Sequence, residues 1–390
     1  MDTPNSLVRD ISPPAKRRRA SKDTVSSRPE DDSKTSQASR IEPTLAAIEA
    51  GRAKIENHLA YFSEYLSKAS RKTEEGFTRL PIKKFRKLYK TNSHEQGSHF
   101  VIHQHNHPIA GVHYDLRLQF SNSSSVSWSV PKGLPGNPNS KTLGRMAVET
   151  RVHNFWNHLI ESASPNSGSL LIWDTGTYSV LPRKVAKDGP PSPQTTDDDD
   201  TDGEDMRAPA YNTDKRPENE KLIQAFQTRY IRLCLHGTRL PPNYTVTLRL
   251  PSANDVSKYN PDDPRPTSRR KRSATKGGPK AKEDFVDTHS DDDEDLQTRR
   301  NNAYPGSTNS IGSIHQRQWF MSLDMRSCGF VQGSTGKWGH DGKGGGFETF
   351  FVRGRDVERS VVTGRLAREV EEDEGVEDFV GRQGWVAIEL

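Results

Sequence analysis

Between Phe100 and Arg183 the apolar residues come in short alternating runs, broken by Gly, Pro, Asn and Ser. The clearest run is His113-Tyr114-Asp115-Leu116-Arg117-Leu118-Gln119-Phe120. A period of two marks a strand, whose side chains point alternately to opposite faces. Tyr114, Leu116, Leu118 and Phe120 then belong to a core, and His113, Asp115, Arg117 and Gln119 lie on the other face. The same texture predicts strands over 99–105, 112–120, 125–131, 145–149, 169–174 and 177–182, and again over 229–235, 243–250 and 317–323. Short strands at regular spacing with turn residues between them make a small barrel or sandwich.

The rest of the chain cannot share that core. Of 390 residues only 31% are hydrophobic and 28% are charged, too little apolar surface to offset the entropy of ordering every residue. Residues 1–40 read as a disordered basic tail carrying Lys16-Arg17-Arg18-Arg19. Residues 41–98 read as a helical extension, with Leu45, Ile48, Ile55, Leu59, Phe62 and Leu66 making an apolar stripe over 43–70. Such a stripe packs on its own domain more often than on a protein partner, which is the alternative here. The β domain spans 99–328 and is interrupted by disordered insertions at about 184–218 and 252–314, which hold Asp197–Asp200, Arg269–Arg272 and Asp291–Asp295. Residues 329–390 read as a Gly-rich connector and a C-terminal helical extension, helical over 355–372 with a stop at Gly375. The two cysteines, Cys234 and Cys328, form no CxxC pair, which argues against a disulfide framework or a cysteine zinc site. No signal-peptide core and no run of 18 apolar residues is present, so no membrane partner is expected. The net charge of +5 fits a nucleic-acid partner without establishing one. The two basic clusters, 16–19 and 269–272, are expected to direct the protein to the nucleus.

The polar face of the 113–120 strand carries the chemistry. A histidine, a carboxylate and a guanidinium in a row offer two metal ligands followed by a fork for phosphate oxygens. A third ligand is available from His103, His105 or His107, just upstream. Two imidazoles and one carboxylate leave coordination positions for water and substrate.

Five pieces in order resemble the 3′-phosphoesterase domain of bacterial DNA ligase D. They are Phe100-Val101-Ile102 with His105; His113-Tyr114-Asp115-Leu116-Arg117-Leu118; Trp128-Ser129-Val130-Pro131-Lys132-Gly133; Arg145-Met146-Ala147-Val148 with His153; and Ile172-Trp173-Asp174-Thr175-Gly176-Thr177-Tyr178. The resemblance is strongest over 100–183, continues through 229–250 and ends near Trp319-Phe320-Met321. It implies a mainly β chain with a small closed β-barrel core, flanking helices and a metal site in a crescent-shaped groove. It implies Mn²⁺, with other divalent metals as substitutes, and removal of a terminal 3′-phosphate or ribonucleoside from DNA 3′ ends or a primer-template. The implied metal ligands are His105, His113 and Asp115. The implied phosphate-binding groups are Arg117, Lys132 and Arg145, and His153 joins Arg117 as a catalytic residue. Three departures stand out. The spacing between the ligand histidines is two residues longer, which makes His107 an alternative to His105. Arg151 and Asn157 stand where the family has acidic and tyrosine partners of the later histidine. The family's N-terminal Arg-Asp motif has no clear counterpart. The alternative function is a non-catalytic nuclear module that binds DNA or RNA ends. No ligase or polymerase motif is present, so nick sealing is not expected.

Overall fold

The computed structural model describes residues 57–69, 81–93, 96–183, 185–186, 206–207, 214–255, 301–304, 307–340, 345–377, 379–382 and 384–385, all within one unit spanning 56–390. The basic clusters at 16–19 and 269–272, and the 43–56 part of the predicted N-terminal helix, lie outside them.

Eight antiparallel strands close into a barrel. They are β1 (His99–His107), β2 (Gly111–Gln119), β3 (Ser124–Val130), β4 (Gly144–Glu149), β7 (Gly168–Leu181), β10 (Tyr230–Gly237), β11 (Thr245–Arg249) and β12 (Gln318–Leu323). Around the ring the order is β1-β2-β3-β4-β12-β11-β10-β7, and β7 pairs back onto β1. Closure leaves no free edge in the ring, the usual weakness of a small sheet. The strands fall where the alternation placed them, except that 169–174 and 177–182 are one continuous strand. The shorter β5 (His153–Asn154) pairs with β3, and β6 (Ser162–Ser164) with β7.

The apolar alternates fill the interior. Leu116, Leu118, Trp128 and Trp319 are fully buried there, and the two indoles meet edge to face at 5.7 Å. Trp173 is in the same core, so Trp128, Trp173 and Trp319 all pack the barrel. Glu149 is also fully buried. It accepts hydrogen bonds from Trp319 Nε1 (2.8 Å), Arg317 Nε (2.8 Å), Ser313 Oγ (2.5 Å) and the Ile314 amide (2.9 Å).

The elements around the barrel differ from the sequence expectation in four places. Helix α1 (His58–Ala69) lies inside the predicted 43–70 helix, and Leu59 and Leu66 pack against Phe85 and Tyr89 of α2 (Ile82–Asn92). The stripe is therefore used within the domain, at least over its described half. The insertion expected over 184–218 contains a two-residue ladder, β8 (Val185–Ala186) with β9 (Met206–Arg207), and ends at helix α3 (Glu218–Gln227). Leu222 and Phe226 of α3 enter the core, and the Val180 amide donates to Glu218.

The insertion expected over 252–314 is shorter at both ends. Asp255 is buried against Arg229, and residues 301–304 and 307–317 return along β4 and β5 because Ile311, Ser313 and Ile314 have partners there. Finally, 329–340 forms the hairpin β13 (Phe330–Gln332) and β14 (Trp338–His340) rather than a loose connector. Gly329 sits at φ +88° only 2.7 Å from the Gly346 amide by its missing Cβ, so this glycine serves close packing. Helix α4 covers Ala367–Asp373 alone, since 355–366 is spent on turns in which the Gly364 amide donates to Ser360 O. Gly375, at φ +67°, follows its end as the sequence suggests.

Replacing 256–300 with a short Gly/Ser linker should keep cooperative unfolding and leave Tm within about 3 °C, because closure entropy grows only logarithmically with loop length. Extending the deletion through residue 314 should destabilise by about 3–5 kcal/mol, because buried Glu149 then loses partners. Thermal denaturation followed by circular dichroism separates the two; equal Tm values would show that 301–314 does not brace the barrel.

Candidate metal centre and anion pocket

The polar face of β2 is not open to solvent. Every residue of β2 is buried. The register places His105 opposite His113, His103 opposite Asp115 and Val101 opposite Arg117 on β1. On the other flank Ser129, Ser127 and Ser125 of β3 stand opposite Asp115, Arg117 and Gln119. Tyr114, Leu116 and Trp128 lie on the interior face, so this second face is the outer wall of the barrel. A roof covers it: β5 pairs His153 with Ser125, and the 3₁₀ turn Phe155–Leu159 buries His158.

His105, His113 and Asp115 offer ligand atoms that all lie within 4.8 Å of one another, the one such cluster of three among the described residues. Their second nitrogens define the tautomers. His113 Nδ1 lies 2.9 Å from Gly111 O and His105 Nε2 lies 2.8 Å from Ser167 O. A carbonyl only accepts, so those nitrogens carry the hydrogens. In the neutral rings the lone pairs of His113 Nε2 and His105 Nδ1 then face Asp115 Oδ1 and Oδ2, each at 3.5 Å. Burial holds His113 below the usual imidazole range, against the pull of Asp115. Burial works against the charge of Asp115, but His113, His105 and Arg117 outweigh it and hold its carboxyl well below the usual carboxylate range. Asp115 Oδ1 is buried with no hydrogen bond among the described residues. Two lone pairs aimed at a carboxylate, one of whose oxygens is orphaned, fit a divalent cation. His107 is less well placed: its Nδ1 already accepts from the Ile109 and Ala110 amides, although its ring lies 5.6 Å from that of His105.

Arg117 is only 3% exposed. Its Nη2 donates to Asp115 Oδ2 at 3.2 Å, while Nε and Nη1 are buried without a partner among the described residues. Ser125 Oγ, Ser127 Oγ, His103 Nδ1, His153 Nδ1 and both nitrogens of His158 are likewise buried and, among the described residues, unpaired. Leaving so many buried polar atoms unsatisfied is costly, and they gather beside a cation. Burial first, then Arg117, hold His103 and His153 well below the usual imidazole range. For His158 the causes are burial, then His99, then Arg117. The imidazoles near Arg117 are therefore neutral at pH 7.

The other two residues named for phosphate stand elsewhere. Lys132 is exposed in the turn after β3. Arg145 lies on the interior face of β4, opposite Met321, and its Nη1 donates to Thr142 O and Gly144 O, which ties down the 142–144 corner. The sequence did not point to His158, Ser125 or Ser127. The alternation of the three serines along β3 was the available signal for the last two. Nor did it point to Tyr304, whose ring centroid lies 4.7 Å from that of His153.

These buried neutral histidines fix a pH dependence. Above about pH 6.5 they are neutral whether the chain is folded or not, and contribute no slope. Below it the unfolded chain takes up protons that the fold refuses, down to about 4 for His99, while His103, His153 and His158 are likewise held well below the usual imidazole range. Stability should therefore fall with acidification, by up to about 1.4 kcal/mol per pH unit for each such histidine. Urea midpoints should hold from pH 7.5 to about 6.5 and then drop towards pH 5.5, and a profile flat down to 5.5 would contradict the assignment.

Residues 103–248 match the family model of the DNA Ligase D 3′-phosphoesterase domain, from β1 to the end of β11. An 88-residue stretch is 37% identical to the multifunctional non-homologous end joining DNA repair protein LigD of Mycobacterium tuberculosis (strain ATCC 25618 / H37Rv). The same figures hold for the multifunctional non-homologous end joining protein LigD of Mycobacterium bovis. That stretch is 22% of this chain and 11% of the relative, so only a small part of those proteins is represented. On this match and the closed barrel, residues 103–248 are similar to the DNA ligase D 3′-phosphoesterase domain.

Proposed function

We propose that this protein is a Mn²⁺-dependent phosphoesterase that processes DNA 3′ ends, removing a terminal 3′-phosphate or ribonucleoside. Similarity to a phosphoesterase domain supports phosphoester chemistry at DNA ends in general. The observation that supports the finer reading is the pairing of two features on one face of the β1–β2 sheet. One is a ligand set whose outer nitrogens are fixed on backbone carbonyls; the other is a buried guanidinium with two free N–H groups, two residues further along.

His105, His113 and Asp115 would hold the metal, with His107 as the alternative to His105. Bound there, a divalent ion supplies charge neutralisation for a phosphate and a water of lowered pKa. Arg117 does two things. Nη2 fixes Asp115, and Nε and Nη1 are left to receive two phosphate oxygens as a planar fork. His153 enters neutral, so it suits hydrogen bonding to a phosphate oxygen better than giving up a proton at pH 7. Lys132, exposed at the strand end, suits contact with the DNA backbone, and Arg145 braces the corner beyond it. In 3′-phosphate hydrolysis the water oxygen bonds to phosphorus, the P–O3′ bond breaks and the 3′-oxygen takes up a proton, which gives a 3′-hydroxyl and inorganic phosphate. Donors preorganised around the equatorial oxygens lower that barrier. Among the described residues no helix is long and apolar enough to cross a membrane.

The test is hydrolysis of a primer-template ending in 3′-phosphate or a 3′-ribonucleotide, with Mn²⁺ and with chelator. His113→Ala and Asp115→Asn should abolish product and weaken Mn²⁺ binding while the fold survives. Arg117→Lys should keep Mn²⁺ affinity within a few fold yet lose about 10–100-fold in kcat, because an ammonium cannot supply the second contact. Wild-type turnover in the ligand variants would remove the site, and near-wild-type turnover in Arg117→Lys would reduce Arg117 to a partner of Asp115.

We further propose a nuclear location, which the basic clusters 16–19 and 269–272 support. A fluorescent fusion should accumulate there, and less so when both clusters are changed to Ala; a cytoplasmic wild type would refute it.

A further inference from the structure

We propose that Tyr304, on the arm that returns to the barrel after the second insertion, is a positioning residue for His153. The proposal rests on the phosphoesterase reading for its kinetic test and on geometry alone for its spectroscopic one.

The backbone around His153 is held from two sides. His153 pairs with Ser125 of β3 on one side. On the other, the Val152 amide donates to Asn302 O (3.0 Å) and the Tyr304 amide donates to Val152 O (2.9 Å), which makes a parallel bridge between Val152 and Ala303. Asn302 Nδ2 adds a bond to Thr150 O (2.8 Å), and Ser307 Oγ a second one to Val152 O (3.0 Å). The arm is thus a strand-like splint along 150–153.

The ring is another matter. His153 Nδ1 is buried and makes no hydrogen bond among the described residues, so no bond at that nitrogen fixes the ring's rotation. What lies against the ring is Tyr304, with centroids 4.7 Å apart and planes inclined at 47°. Arg151 projects from the same side of the extended backbone, two residues before His153. Its guanidinium carbon is 5.5 Å from the Tyr304 centroid. Tyr304 is therefore held by Arg151 while it limits the rotation of His153, one of the buried imidazoles close enough to Arg117 to feel its charge. Tyr304 lies outside the 103–248 stretch that matches the family. The site is then a composite, built from the matched stretch and from an arm more than fifty residues downstream of it.

The experiment uses the full chain and the variants Tyr304→Ala, Tyr304→Leu and Tyr304→Phe, each also in a His153→Ala background. On an oligonucleotide ending in 3′-phosphate, Tyr304→Ala and Tyr304→Leu should lower kcat about tenfold, the scale of a modest misplacement of a reacting group. Mn²⁺ affinity should be unchanged, and Tyr304→Phe should restore turnover. In the His153→Ala background the Tyr304 changes should have no further effect, since a positioning residue acts only through its partner. In NMR spectra the His153 ring protons should lose a ring-current shift in Tyr304→Ala and Tyr304→Leu but keep it in Tyr304→Phe. Wild-type kcat in Tyr304→Leu, failure of Tyr304→Phe to restore, or additive losses in the double variants would overturn the proposal. An inactive wild type would refute the phosphoesterase reading, and the NMR comparison would then still decide this one: an unchanged His153 spectrum in Tyr304→Leu overturns it.

Discussion

The double pairing of β1 is the constraint on which the rest depends. β1 is hydrogen-bonded to β2 on one edge and to β7 on the other, and the second pairing closes the barrel. Antiparallel register then does the chemical work. It sets His105 directly across from His113 and His103 across from Asp115, at the separations of directly opposed side chains. A slip of one residue would turn every one of these groups into the hydrophobic interior. The apolar alternates prevent the slip, since Phe100, Ile102, Tyr114, Leu116 and Leu118 are all in the core. Function and folding are thus written on opposite faces of the same two strands.

That arrangement explains what was legible in the sequence. The strands and the polar row were visible because a period of two needs no tertiary information. The polar row on a strand usually means a wet face, and here it does not. The roof that covers it consists of a two-residue strand and a 3₁₀ turn, neither long enough to show a period. Helix α3 was hidden for a similar reason, as it begins at the end of a polar, acidic stretch with Pro217 before it. The C-terminal region misled in the opposite way. Its glycines suggested looseness, yet Phe330 and Phe347 pack edge to face at 4.9 Å beside Gly329 and Gly346. The three side chains that cluster as candidate ligands, His105, His113 and Asp115, were within reach of sequence reasoning, apart from the choice between His105 and His107, which rests on where the turn's amides donate.

The interior of the wall carries its own buried charge. Glu358 accepts from Gln104 Nε2 (2.8 Å), the Tyr114 hydroxyl and the Arg353 (2.9 Å) and Gly354 (3.2 Å) amides. Gln104 and Tyr114 alternate with His103, His105, His113 and Asp115. The C-terminal segment therefore grips β1 and β2 from inside at the level of the ligands on the outside. A buried carboxylate with four donors is well compensated, and its removal would leave those donors without a partner. The residues beyond the family match are thus part of the structural support of the site.

The place of β12 in the chain has a consequence for biogenesis. β12 closes the gap between β4 and β11, and it is made only after the 256–300 segment. When a ribosome has just delivered the whole 103–248 stretch, the nascent sheet still exposes β4 and β11 as unpaired edges. Both are templates for the wrong partner until residue 323 emerges. Contacts this far apart in sequence also form slowly. A chain of this design needs its newly made edges shielded during synthesis, and a recombinant fragment cut at the family boundary would keep them exposed permanently.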